Sequence, residues 1–266
     1  MIGKIFDWWR GQRETLVIPE ALWQETVESL PFLTGLNREE KTRLRTLCAG
    51  FLAEKEFSTA GGLQLTDAIS VSIAAQGCLP ILNLGLDAYR GWIGIVVYPD
   101  EFIIPRSIED EFGVVHEYTD VASGEAWAGG PLLISWRDAQ MAGNGYNVVI
   151  HEFAHKLDML NGEADGTPPL PAGITREQWE ATLFAAYNDF CIQVDEAEAL
   201  EQSTRLDPYA AESPSEFFAV MSEAFFETPQ ILHEAYPALY GNLSAFYGQD
   251  PKRRMDRPPG RKTPPY

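Results

Sequence analysis

The segment His151-Glu152-Phe153-Ala154-His155 constrains this chain more than any other, because it sets two imidazoles four residues apart inside an apolar run. An α-helix turns once in about 3.6 residues, so side chains four apart share a face and both rings can reach one metal ion. The flanks suit a helix. Asn144, Gly145 and Asn147 offer turn and N-cap chemistry, Val148, Val149, Ile150, Phe153, Ala154, Leu157 and Leu160 form an apolar body, and Asn161-Gly162 offers a left-handed stop. The chain has only four histidines (116, 151, 155 and 233), so finding two of them around a glutamate argues against accident.

This spacing is the HExxH signature of zinc peptidases. Neutral ring nitrogens bind Zn²⁺ at about 2.0–2.1 Å, and Glu152 takes a proton from a water that the metal activates. A catalytic zinc needs a third protein ligand. The extension that supplies a third histidine requires Gly at 158 and His at 161, whereas this chain has Asp158 and Asn161. A glutamate on a later helix is the other common solution. Glu216 is the candidate, in the first turn of a segment carrying Phe217, Phe218, Val220, Met221, Ala224 and Phe225. Ser213-x-x-Glu216 is also a capping box, which needs no metal. Glu223, two turns along the same face, is either a competitor or a partner behind the ligands. Asp158, one turn past His155, either ligates directly or, as a carboxylate so near the histidines more often does, accepts the second ring N–H of one of them and holds its tautomer. Tyr209, in a loop entering the Glu216 helix, either stabilises an oxyanion over the metal or simply packs at the junction. His116, after Gly113-Val114-Val115, reads from the residues alone as a surface or core histidine.

Bulk properties narrow the partners. A 266-residue chain with 45% hydrophobic and 22% charged residues buries a full core. Its net charge of −19 argues against nucleic acid or an anionic membrane as the main partner and favours basic peptides. Cys48, Cys78 and Cys191 are too few and too scattered for a disulfide framework, and the start lacks an apolar signal region. The expectation is a cytoplasmic protein without a membrane span.

Helical patterning fills residues 21–80, with Pro19-Glu20 opening one helix, Asn37 and Glu40 capping a second, and Thr66-Asp67 starting a third. Residues 81–136 read as a sheet region, with Ile93–Tyr98 and Pro131–Trp136 as the clearest strands; the 131–136 strand is the one expected to hold substrate by edge pairing. Residues 137–250 read as the active-site and C-terminal helices, including one capped by Thr175 and Gln178. The expected architecture is α+β, a mostly antiparallel sheet packed against the HExxH helix, in one domain spanning 21–250. Residues 1–20 form an N-terminal extension. Residues 251–266, with six basic residues and five prolines, read as a flexible tail.

Six segments together carry a resemblance: Gly113-Val114-Val115-His116, Gly124-Glu125-Ala126-Trp127, Gly130–Trp136, His151–Asp158, Asp207-Pro208-Tyr209-Ala210-Ala211 and Glu216–Glu223. The chain resembles the Mlc titration factor A family over roughly residues 20–250. That likeness implies a cytosolic zinc metallopeptidase with a zincin-like core similar to that of anthrax lethal factor. The family's zinc ligands fall on His151, His155 and Glu216, its general base on Glu152 and its active-site tyrosine on Tyr209. A further histidine near the metal falls on His116, counted here with the metal-binding residues as a gate over the site. The resemblance also implies aminopeptidase activity on peptide substrates, and binding of the glucose repressor Mlc that relieves repression of the glucose phosphotransferase gene. The competing expectation is a binding protein that sequesters a regulator and keeps only a structural or vestigial zinc site.

Overall fold

The computed structural model describes residues 16–109 and 115–255; the side chains at 106–109, 116 and 117 also lie outside the description. Helix α1 (Glu20–Ser29) leads through a single turn, α2 (Pro31–Thr34), into α3 (Arg38–Glu54). The capping box of α3 forms as its sequence dictates. Asn37 Oδ1 accepts from the N–H groups of Glu39 and Glu40, and Glu40 Oε2 accepts the Asn37 N–H at 2.8 Å. Helix α4 (Asp67–Cys78) begins at its Thr66 cap.

The described residues include six strands: β1 (Glu56–Thr59), which precedes α4, then β2 (Gly94–Tyr98), β3 (Phe102–Glu109), β4 (Val115–Ala122), β5 (Gly124–Ala126) and β6 (Leu132–Ser135). β3 and β4 form an antiparallel hairpin of their own, and the other four make a sheet in the order β1-β2-β6-β5. This sheet is mixed rather than mostly antiparallel. β1 pairs parallel with β2 and β2 with β6, and only β5 runs antiparallel to β6. The reason lies in the connections: α4 crosses between β1 and β2, and the hairpin with β5 is inserted between β2 and β6, so both links are long enough to return the chain in the same direction. β6 is buried on both faces at all four residues, which is how an interior strand reads. Paired with β2 on one side and β5 on the other, it has no free edge, whereas β5 lies at an edge of the sheet.

A short helix, α5 (Trp136–Ala139), leads to α6 (Val148–Asp158), the HExxH helix, every residue of which is buried. After a loop come α7 (Arg176–Ala199), a 3₁₀ turn at Pro208–Ala211, α8 (Pro214–Glu227), α9 (Pro229–Ala235), α10 (Pro237–Tyr247) and α11 (Pro251–Met255). α8 is apolar nearly all round and buries Phe217, Phe218, Phe225 and Phe226, so it runs through the interior. Among the described residues no helix is long and apolar enough to cross a membrane.

A main core joins the helices to the four-stranded sheet, and a second small cluster of Phe102, Ile104 and Leu133 packs the hairpin on the sheet. Phe153 points from α6 into a cluster with Phe51 of α3, Tyr89 and Trp92, at ring-centroid distances of 5.6, 5.1 and 5.8 Å. Gly77 of α4 lies against the same ring so closely that a Cβ there would come within 2.5 Å of it. The core also reaches into both expected tails. Ile18 is buried, and the Arg254 guanidinium of α11, itself buried, donates to Glu40 Oε1 at 3.0 and 3.2 Å. The first turn of the basic stretch thus packs, with Arg254 paired to the α3 cap carboxylate. Residues 256–266 lie outside the described part, as do residues 1–15.

Candidate metal centre

Helix α6 starts at a defined residue because Asn147 Oδ1 accepts the Ile150 N–H at 2.9 Å, which places His151 in its first turn and His155 one turn on. Their Nε2 atoms stand 3.1 Å apart. Glu216 approaches from the first turn of α8. Its expected capping box forms only by half: Ser213 Oγ accepts the Glu216 N–H at 3.2 Å, but the Glu216 carboxylate turns away from the cap and puts Oε2 at 3.0 Å from His151 Nε2 and 3.3 Å from His155 Nε2. A tetrahedral ion with bonds of about 2.0–2.1 Å has ligand–ligand edges of about 3.3–3.4 Å, so these three atoms can form one face of such a site. His151, His155 and Glu216 are also the set whose ligand atoms all lie within 4.8 Å of one another among the described residues.

The atoms behind this triangle prepare it for a cation. Glu223 Oε1 lies 2.7 Å from His151 Nδ1, so that nitrogen donates its proton to the carboxylate and Nε2 is turned inward. Glu223 Oε2 accepts the Asn147 backbone N–H at 2.6 Å, which ties the orienting carboxylate to the start of α6. Against the burial that works the other way, hydrogen bonds to Glu216 and Glu223 hold the His151 imidazole well above its ordinary pKa. Likewise, against burial, the two histidines hold Glu216 well below the usual carboxylate range. Three inward-facing donor atoms of this kind can bind one divalent ion.

Asp158 does not hold a histidine tautomer. Its Oδ2 accepts the Gly166 N–H at 2.8 Å, and its Oδ1 and the His155 Nδ1 are both buried without a hydrogen-bond partner. Gly166, at φ +81°, packs its loop against Leu183 of α7 and the Pro214 carbonyl of α8, and from there its N–H reaches this carboxylate.

Glu152 is buried beside His151, and burial pushes its carboxyl up to about 7 against the pull of His151 and His155. Tyr209 sits on the 3₁₀ turn entering α8, half-exposed, with its ring centroid 6.0 Å from that of His151. Burial of the phenol and the charge of Glu216 raise its pKa, which keeps the hydroxyl protonated. His116 lies on β4 opposite Ile108, and its side chain is outside the described part of the structure.

Several neighbours of the site escape sequence reading. Lys156 Nζ, buried, donates to the carbonyls of Trp127, Gly130 and Pro131 at 2.6, 2.9 and 3.3 Å and clamps the β5–β6 turn onto α6. Glu227 accepts from Asn147 Nδ2 at 2.9 Å and steadies the loop before α6. Tyr146 lies near enough to Glu223 and Glu152 that, after burial, their charges help push its pKa up to about 12. Most partners here are backbone groups or residues tens of positions away, so periodicity carries no signal of them.

Comparison with known proteins places the chain among relatives of one name. The chain is 40% identical over 240 residues to Mlc titration factor A of Escherichia coli O9:H4, covering 88% of each chain. It is 38% identical over 249 residues to Mlc titration factor A of Serratia proteamaculans, covering 92% of each. Against the protein of that name from Salmonella arizonae it is 38% identical over 250 residues, 93% of this chain and 98% of the other. Residues 6–248 match the glucose-regulated metallo-peptidase M90 profile, and the chain belongs to that family.

Proposed function

We propose that this chain is a zinc-dependent peptidase with a zincin-like site, in which His151, His155 and Glu216 hold the metal and Glu152 is the general base. The observation that carries the reading is the 3.0–3.3 Å triangle of ligand atoms next to a buried carboxylate. Two imidazoles and a carboxylate form a donor set that suits zinc. When bound, Zn²⁺ supplies a Lewis acid that lowers the pKa of a water toward about 7 and polarises a carbonyl. Glu152 accepts the proton of the attacking water and passes it to the amide nitrogen that leaves. Tyr209 donates its hydroxyl proton in a hydrogen bond to the oxygen that becomes negative, a contribution typically of about 2.7–4 kcal/mol.

The free edge of β5 suits a peptide backbone. The Ser135 N–H donates to Ser123 O at 2.7 Å and the Trp127 N–H to Pro131 O at 3.2 Å, so antiparallel alternation turns the N–H and C=O groups of Gly124 and Ala126 away from β6. An extended substrate pairing there passes over Glu152 and is held mainly by its backbone, which makes specificity broad. Action as an aminopeptidase in the cytoplasm rests on the family resemblance. The excess negative charge suits a substrate with a free, positive amino terminus. The relatives' name supports a second role, binding an Mlc-type repressor. His116 is assigned the part of a gate, its place on β4 being in the same hairpin as Asp120, whose charge bears on Tyr209.

The test is zinc content and peptide hydrolysis of wild type beside Glu152→Gln. The expected result is one zinc in both proteins and hydrolysis lost by about 10²-fold or more in the variant, since an amide cannot take the proton. Two proteins that hydrolyse nothing, yet bind a partner equally well, would establish the sequestering role instead.

A further inference from the structure

We infer that Gly124 is the positioning residue for Glu152: β5 leaves out a side chain at this point so that the general base can occupy the space where one would stand. This rests on Glu152 being the base. A Cβ on Gly124 would fall 2.6 Å from Glu152 Cγ and 2.7 Å from Cδ, and closer still to Oε1, whereas real Cβ contacts stay beyond 3.0 Å. Rotation of the terminal carboxylate alone cannot relieve this, because the Cγ is involved; the whole side chain must take another rotamer. The backbone is not what demands glycine here. Gly124 is absent from the positive-φ glycines, so alanine fits its conformation and only the space is at issue.

Neither element can give way. β5 is fastened at one end by the Ser135 N–H on Ser123 O at 2.7 Å. At the other end Lys156 grips the carbonyls of Trp127, Gly130 and Pro131. That lysine belongs to α6, four residues after Glu152, so one helix contributes both the base and the clamp that presses the strand onto it. α6 is buried along its whole length and its Phe153 is locked among Phe51, Tyr89 and Trp92. The part that yields to an added methyl is therefore the Glu152 side chain, and with it the base's reach toward the reacting water.

The experiment is a double-mutant cycle between Gly124→Ala and Glu152→Ala, read first by thermal unfolding of the zinc-loaded proteins. Gly124→Ala alone is expected to lower Tm by roughly 3–10 °C, and to cost little or nothing in the Glu152→Ala background, where the opposing atoms are gone. This arm also holds if Gly124→Ala folds poorly, because Glu152→Ala then restores folding. In the second arm, Gly124→Ala keeps one zinc and loses about 10²-fold in kcat with KM within about threefold, as expected for a base displaced by about 1 Å. A Gly124→Ala protein with wild-type Tm and kcat overturns the inference, as does a Tm loss undiminished by Glu152→Ala. If the wild type hydrolyses no peptide, the peptidase reading falls while the stability cycle still decides whether Gly124 makes room for Glu152.

Discussion

His151 Nδ1 and Glu223 Oε1 lie 2.7 Å apart, and through this contact the interior helix α8 decides which nitrogen of His151 faces the metal position. The same helix brings Glu216 to the front of the ring seven residues earlier, so a ligand and the group that orients another ligand come from one rigid element. Zinc analysis should separate the two carboxylates. Glu216→Ala is expected to lose the stoichiometric metal, whereas Glu223→Ala retains it with affinity reduced about 10–100-fold. Full retention in the first with loss in the second would exchange the roles.

Phe153 joins the motif to the core rather than to the chemistry. Phe153→Ala is expected to cost about 3–5 kcal/mol in urea unfolding, because the Phe51, Tyr89 and Trp92 rings around it cannot collapse far into the space left. A loss below about 1 kcal/mol would mean that the cluster does not hold α6 in place.

Glu227 makes stability depend on pH. Burial pushes its carboxyl up to about 7 from an ordinary 4.5, partly offset by the Asn147 amide and the Gly145 and Gly143 N–H groups, while Glu223 adds to the rise. Between those values the folded protein binds a proton that the unfolded chain does not, so wild type loses stability as pH rises from about 4.5 through about 7. Glu227→Gln removes this dependence. Its stability relative to wild type should increase by on the order of 1–3 kcal/mol between pH 5 and pH 8, measured by urea unfolding. An unchanged difference at the two pH values would show that Glu227 is ionised throughout.

His116→Ala tests the gate. With the imidazole gone, zinc should stay on three ligands and basal peptide hydrolysis should rise; a fall would make His116 a substrate contact. Unchanged activity and unchanged zinc affinity would remove both roles.

Short-range features were legible in the order of the residues. A spacing of four on an apolar helix, an Asn cap before it and the Asn37–Glu40 box are all set by contacts within a few residues, and each appears where the residues dictate. Glu216 was legible as a carboxylate on a buried helix, yet its capping-box reading was equally good from sequence, and only the packing of α8 against α6 turned it toward the histidines. Asp158 shows the opposite outcome, since one of its oxygens accepts the N–H of a loop glycine eight residues on and the other meets no ring N–H. The parallel pairing of β1, β2 and β6, the interior place of β6, the Lys156 clamp and the approach of Gly124 to Glu152 depend on contacts between distant segments. Hydrophobic periodicity reports which face of an element is buried but not what it is buried against, and so the tertiary structure alone decided these.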